Sequence, residues 1–187
     1  MSETINTNCK CHKETHQLKF IVITGGPGAG KTAVLELIRK ILCQHVTISP
    51  EAASILFSGG FWRRDTIPAR AAAQRAIYHI QKELEQIVQD EKKTAIGLCD
   101  RGSIDGLAYW PKDEKSYWDE LGTNCETEYA KYTAVIHLRT PHSNQGYNHV
   151  NPVRVESAAQ AMTSATSLRT PEITSATNNR IVMGPRN

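Results

Sequence analysis

No apolar run in this sequence approaches the ~20 residues that a membrane-spanning helix needs. The N-terminus has no apolar core of the kind a secretion signal requires, so neither a membrane span nor a signal is expected. Charge is not segregated: 22 Lys and Arg are interspersed with 19 Asp and Glu, for a net charge of +3. Without a basic block, nucleic acid is not an expected partner. Five cysteines are an odd number and do not make a disulfide framework; they read as reduced thiols in a cytoplasmic protein. There is no internal repeat. No guanine-reading motif of the form N-K-x-D occurs, which tilts the expected nucleotide toward ATP, with GTP as the alternative.

What is present starts at Phe20. Residues 20–32 read Phe-Ile-Val-Ile-Thr-Gly-Gly-Pro-Gly-Ala-Gly-Lys-Thr, a β-rich apolar run followed by G-x-x-x-x-G-K-T. That is the phosphate-binding P-loop pattern. Gly25, Gly26, Gly28 and Gly30, with Pro27 and Ala29 between them, let the backbone turn tightly and bring its N–H groups to an anion. The helix that follows would set its positive end on the phosphates. Lys31 has the reach for the β- and γ-phosphates, and the Thr32 hydroxyl suits Mg²⁺. The helical pattern after Thr32 places Val34, Leu37, Ile38, Ile41 and Leu42 on one face.

The length suits one α/β domain with a real core. Residues 1–17 read as a flexible polar leader. Within it Cys9, Cys11, His12 and His16 have the residue types of a Zn²⁺ site, but the spacing lacks the separated pairs of a structural one. Residues 18–156 form the expected nucleotide-binding domain. Strands are expected over Leu18 to Thr24, Val46 to Ser49, Thr94 to Cys99 and Thr133 to Leu138. Helices are expected over Thr32 to Cys43, Glu51 to Phe57, Ile67 to Asp90 and Glu126 to Tyr132. A short helix with a serine cap is expected at Ser103 to Tyr109. In the long helix Ile77, Ile80, Leu84, Ile87 and Val88 recur at helical spacing. Such alternation predicts a parallel sheet of four or five strands with helices on both faces, and ligands at the carboxyl ends of the strands. Residues 157–187 are rich in Ser, Thr and Ala, with little periodicity; Ile181 to Met183 is the candidate fifth strand.

Several residues carry candidate chemistry. Asp100 ends a buried-strand run, where an acid can hold the Mg²⁺ shell; the alternative is an N-cap aspartate. Arg101 has the planar fork to reach a phosphate or a substrate hydroxyl; the alternative is a surface arginine. Glu51, after the second strand, is placed either to take the proton of an attacking hydroxyl or to complement a helix N-terminus. Phe61, Trp62, Arg63, Arg64 and Arg70 are a basic aromatic stretch that reads as a solvated helix entrance or as a site for a phosphate or base. Trp110, Tyr117 and Trp118 read as core, with an acceptor pocket as the alternative. Arg139 and Arg154 flank a long polar loop, either a lid that neutralises a transferring phosphoryl group or an ordinary loop.

Ile23 to Thr32, Pro50 to Ala53, Asp100 to Tyr109 and Val135 to Arg139 together resemble the NadR-type AAA-domain family of P-loop ATPases. That family includes the kinase domain of NadR-like ribosylnicotinamide kinases and the TRPL-translocation-defect proteins. The resemblance covers residues 18–156, with the loop Gly146 to Glu156 similar to the segment after the fourth strand. It implies a kinase-like P-loop fold, nucleotide with Mg²⁺, Asp100 and Arg101 as the second acidic motif, and Glu51 at the position of a catalytic carboxylate in related nucleoside kinases. Beyond Gln160 the sequence departs from the family pattern, which reads as a frameshifted or diverged C-terminus.

The expectation is a Mg²⁺-dependent, ATP-binding phosphotransferase acting on an unidentified small hydroxyl acceptor such as a nucleoside. The alternative is a nucleotide-dependent regulatory NTPase that acts through a partner protein.

Overall fold

Both faces of the first strand, β1 (Lys19–Thr24), are apolar, so both must be covered. Successive side chains point to opposite faces: Phe20 and Val22 one way, Ile21 and Ile23 the other. A computed structural model, which describes residues 17–26, 28–138 and 180–183, shows what covers each face.

Four further strands are present: β2 (Val46–Ser49), β3 (Ile96–Asp100), β4 (Tyr132–Leu138) and β5 (Arg180–Met183). They form one sheet in the order β2-β3-β1-β4-β5, with every neighbouring pair parallel. The expected fifth strand is therefore present, paired on β4 from Val135 to Leu138. The register sets Ile23 of β1 beside Asp100 of β3, so the carboxyl ends of the two strands lie together.

On one face α1 (Lys31–Ile41) packs Leu35, with Val34 and Ile38, against Ile23 and Leu98. On the other α3 (Ile67–Glu91) packs Val88 against Phe20, Val22 and Cys99. Helices thus lie on both faces of the sheet, as the alternation predicts. A third cluster lies away from the sheet: Ala71, Trp110, Tyr117 and Trp118, joined by Ile104 and Leu107. It ties α3 to the 3₁₀ helix Ser103–Tyr109 and to α4 (Glu114–Leu121). The rings of Trp110 and Tyr117 meet edge to face at 5.2 Å, and those of Tyr117 and Trp118 at 4.9 Å. The core reading of these aromatics holds. Two shorter helices, α2 (Ala52–Ser58) and α5 (Cys125–Ala130), complete the described elements.

Three expectations need correction. Leu37 and Ile41 of α1 and its C-cap Leu42 are exposed, and Leu35 is the buried residue of that helix's apolar face. The helix packs on a narrow stripe, so part of its apolar pattern has nothing to cover it among the described residues. In α3 the buried stripe is Tyr78, Gln81, Glu85 and Val88, while Ile87 is exposed. The polar members of that stripe face inward because a buried hydrogen-bond network and a cavity receive them. Ser103 does not cap its helix: Gly102 is the N-cap, its N–H donates to Asp105 Oδ2 at 2.8 Å, and the Ser103 hydroxyl donates to Glu128 Oε2 at 2.6 Å. The leader, with Cys9, Cys11, His12 and His16, and residues 139–179 lie outside the described residues.

Helix α4 had no expectation in its place. Its ends carry ordinary signals: Asp113 accepts the Ser116 N–H at the N-cap, and Gly122 takes the left-handed conformation at the C-cap.

Candidate functional site

The P-loop leaves β1 at Thr24 and enters α1 at Lys31. Gly25 has φ 142°, and a Cβ there would lie 2.2 Å from the Leu138 carbonyl oxygen of β4, so only glycine fits. The turn closes through the Ala29 N–H on the Gly26 carbonyl at 3.2 Å. Gly30, in the left-handed region, caps α1. Gly25, Gly26, Gly28, Ala29 and Gly30 thus stand where the motif places them; Pro27 lies outside the described residues.

Lys31 is buried, and its ammonium donates to the Gly25 carbonyl at 2.9 Å and to the Gly26 carbonyl at 3.2 Å. Burial, and then the charge of Arg101, pull its pKa down to about 8. The charges of Glu51, Asp100 and Asp105 pull the other way.

The carboxyl ends of β2 and β3 bring three carboxylates to the same place. Asp100 ends β3, Glu51 follows β2, and Asp105 sits on the 3₁₀ helix. Arg101 pairs with two of them, Glu51 and Asp105. Its Nε donates to Glu51 Oε1 at 2.7 Å, and its Nη1 lies 3.5 Å from Asp105 Oδ1. The Arg101 backbone takes the left-handed φ of 71°, unusual for a residue with a side chain, and its N–H donates to the Ile23 carbonyl at 3.0 Å. That turn aims the guanidinium back over the strand ends. The Ser54 hydroxyl donates to Glu51 Oε2 at 2.5 Å, and the Thr24 hydroxyl donates to Asp105 Oδ1.

These contacts tune the acids differently. Burial pushes the Glu51 carboxyl up, but Arg101, Ser54 and Lys31 together outweigh it, and the net shift is downward. Burial, and then the charge of Glu51, push Asp100 up to about 6, against the pull of Lys31 and Arg101. Asp100 Oδ1 is buried without a hydrogen-bond partner among the described residues. A buried carboxylate oxygen without a partner fits a cation, and Thr32 lines the same cavity. Among the described residues no three His, Cys, Asp or Glu side chains form a metal cage.

A cavity of about 240 Å³ joins these groups. Lys31 and Thr32 line one part, Glu51, Asp100 and Arg101 another, and Phe57 of α2 with Gln74, Tyr78 and Gln81 of α3 a third. Arg63 also lines it and stacks on the Phe57 ring at 4.0 Å. Trp62 is exposed, with Arg64 over its ring at 4.2 Å, and Arg70 donates to the Tyr109 carbonyl at 3.4 Å. The basic stretch therefore divides, with only Arg63 among its arginines in this cavity. Tyr117 lines the cavity as well as the core; Trp110 and Trp118 do not. Arg139 and Arg154 lie outside the described residues.

Sequence reasoning brought Lys31, Thr32, Glu51, Asp100 and Arg101 to one site, and missed Asp105, Ser54, Gln74, Tyr78 and Gln81. Asp105 had a signal, since it stands four residues after Arg101 at the N3 position of its helix. The glutamines had none, because amides on a helix read as solvent-facing.

No helix of the described residues is long and apolar enough to cross a membrane. No curated protein matches the chain. A sequence model described as "AAA domain" matches residues 20–182, from β1 to within β5. With that match over most of its length, and a P-loop in place between β1 and α1, the chain belongs to the AAA domain family and is a nucleotide-binding P-loop protein.

Proposed function

We propose that this protein is a Mg²⁺-dependent ATP phosphotransferase that phosphorylates a small hydroxyl compound such as a nucleoside. The observation that carries the reading is the continuity of the cavity: it runs from Lys31 and Thr32 past the Glu51 carboxylate and on between α2 and α3. At about 240 Å³ it lies just below the roughly 300–1,000 Å³ of small-molecule sites, which suits a small acceptor. An NTPase whose only acceptor is water has no use for the inner part of that space.

Phosphoryl transfer needs positioning and charge neutralisation more than covalent chemistry. The P-loop amides and Lys31 hold the phosphates. Thr32 and Asp100 are the residues that would hold Mg²⁺, and an ion held there would offset charge on the phosphates. Glu51, ionised and held by Arg101 and Ser54, takes the proton of the acceptor hydroxyl. The acceptor oxygen forms the new bond to the γ-phosphorus. The bond from that phosphorus to the β,γ-bridging oxygen breaks, and its electron pair stays on ADP. Arg101 orients the acceptor beside Glu51. Arg139 and Arg154 are the proposed cations that close over the phosphates.

The segments at Pro50 to Ala53 and Asp100 to Tyr109 support placing the chain in the NadR-type branch of the family. The free thiols of Cys43, Cys99 and Cys125 support a cytoplasmic setting. A regulatory NTPase would need Lys31, Thr32 and Asp100 but not Glu51, so Glu51→Gln separates the two functions. Transfer to an acceptor falls by roughly 10²- to 10⁴-fold in that variant, the size of a lost general base, while Mg·ATP affinity is unchanged. Undiminished turnover in Glu51→Gln would refute the kinase reading.

A further inference from the structure

The charged groups that line the cavity are unevenly placed. Glu51, Asp100 and Asp105 stand with Lys31 and Arg101 at the strand ends, where Arg101 pairs with Glu51 at 2.7 Å and with Asp105 at 3.5 Å. The remaining charge on the wall is Arg63. It comes from the segment between α2 and α3, and its guanidinium stacks on the Phe57 ring at 4.0 Å. Among the described residues no carboxylate pairs with it. Phe57, Gln74, Ile77 and Gln81, which line the cavity between α2 and α3, are uncharged.

Stacking takes up one face of a guanidinium and leaves its in-plane N–H groups free. Those are the groups that meet a carboxylate or a phosphate in a two-point contact. The ring also fixes the plane of the guanidinium before a ligand arrives, which lowers the cost of ordering it. Arg63 is therefore a prepared cation on the cavity wall with its partner missing.

Helix α2 sets how far this cation lies from the chemistry. Glu51 is the N-cap of α2, the Ser54 hydroxyl holds it at 2.5 Å, and Phe57 follows Ser54 by one turn. From Glu51 to Phe57 the helix rises about 9 Å, at roughly 1.5 Å per residue. A small molecule with its hydroxyl at Glu51 reaches Arg63 with its far end. At the near end Arg101 Nη1 is buried without a hydrogen-bond partner among the described residues, a donor suited to the hydroxyl oxygen.

We infer that the acceptor is a hydroxyl compound with an anionic group at its opposite end, a carboxylate or a phosphate monoester, seated on Arg63. This deepens the phosphotransferase reading and rests on it. The hydroxyl, not the anion, takes the phosphoryl group from ATP, because Glu51 stands at the hydroxyl end. The anion anchors the molecule, and a neutral compound of the same shape is a poorer acceptor.

The test uses the full chain, uridine, and two compounds that add an anion to it and keep the 5′-hydroxyl: 5-carboxyuridine and uridine 3′-monophosphate. Binding is measured by calorimetry with Mg·ADP present, and transfer with γ-labelled Mg·ATP. At least one anionic compound is expected to bind at least tenfold more tightly than uridine and to take label at its hydroxyl. Which of the two does so separates carboxylate from phosphate. In Arg63→Gln the advantage over uridine should vanish. In Arg64→Gln, which alters the arginine over Trp62 outside this cavity, the advantage should persist. Anionic compounds that bind no more tightly than uridine, or an advantage that survives Arg63→Gln, overturn the inference; label on uridine would leave the phosphotransferase reading standing. An equal loss of Mg·ATP affinity in Arg63→Gln would give that arginine to the nucleotide and also overturn the inference. Mg·ATP binding with label on none of the three compounds overturns both.

Discussion

Arg101 Nε donates to Glu51 Oε1 across 2.7 Å, joining the carboxyl end of β3 to that of β2. The pair is half-shielded, with 15% of the arginine side chain and 28% of the glutamate side chain exposed. It keeps the carboxylate ionised and fixed at the cavity wall. The arginine also makes Glu51 a weaker base than a free carboxylate. That suits phosphoryl transfer, whose transition state is loose and asks for a placed acceptor more than a strong base.

Arg101→Ala should be destabilising by roughly 2–4 kcal/mol, because it strands Glu51 and Asp105 beside each other without their shared cation. Arg101→Gly loses the same ion pairs but relieves the left-handed φ of 71°. Glycine should therefore be the more stable of the two by about 1 kcal/mol. Urea denaturation of both variants checks this; an alanine variant as stable as the glycine one would contradict the backbone argument.

Mg·ATP affinity should depend on pH with two edges. Asp100 titrates near 6 in the free protein, so below that pH the metal must displace a proton and affinity falls as pH drops. Lys31 titrates near 8, so above that pH binding must first take up a proton and affinity falls as pH rises. The plateau lies between about 6 and 8. Calorimetry in buffers of different ionisation enthalpy should show proton uptake on the alkaline side, absent in Lys31→Ala. An affinity flat from pH 5 to 9 would remove both assignments.

Gly25→Ala should abolish nucleotide binding and lower the melting temperature together. The added methyl would meet the Leu138 carbonyl at 2.2 Å, and the φ of 142° is one an alanine resists. Relief requires moving β1 from β4, its neighbour in the sheet, so the loop cannot be disturbed alone. A variant of wild-type stability that still binds ATP would show that the turn differs from the one described.

Glu128 is 1% exposed and takes four donors: Tyr78, Ser103, Thr123 and Lys131. Burial pushes its carboxyl up, but Lys131 and the hydroxyls outweigh it and hold the pKa low. A carboxylate with a depressed folded pKa lends stability above its unfolded value, about 4.3, and that stability is lost as pH falls through the folded value. Glu128→Gln should cost about 3 kcal/mol at pH 7 and make the acid limb of the stability curve shallower. An unchanged acid limb in that variant would assign the acid sensitivity elsewhere.

Much of this arrangement is written locally. A β-run ending in a glycine-rich turn and Lys-Thr fixes β1, the loop and α1 at once, and Asp100 stands out because it ends an apolar strand. What the sequence could not display is pairing at a distance. Glu51 and Arg101 are fifty residues apart, and their ion pair exists only because β2 and β3 are neighbours. The stripe Tyr78, Gln81, Glu85 on α3 reads as solvent-facing by hydropathy and is buried because Tyr132 of β4 donates to Glu85 and Glu128 of α5 takes the Tyr78 hydroxyl. The same misreading set the apolar face of α3 about one residue out of phase. Helix α4 carried legible caps at Asp113 and Gly122, but its short, charged pattern gave no apolar period to anchor them.

The most direct test follows the γ-phosphoryl group itself. The full chain is given γ-labelled Mg·ATP and a mixture of the common nucleosides, and the products are separated. The account predicts label in a nucleoside monophosphate, lost in Glu51→Gln while ATP still binds. Label recovered only as inorganic phosphate, equally in both proteins, would contradict it and make the molecule an NTPase.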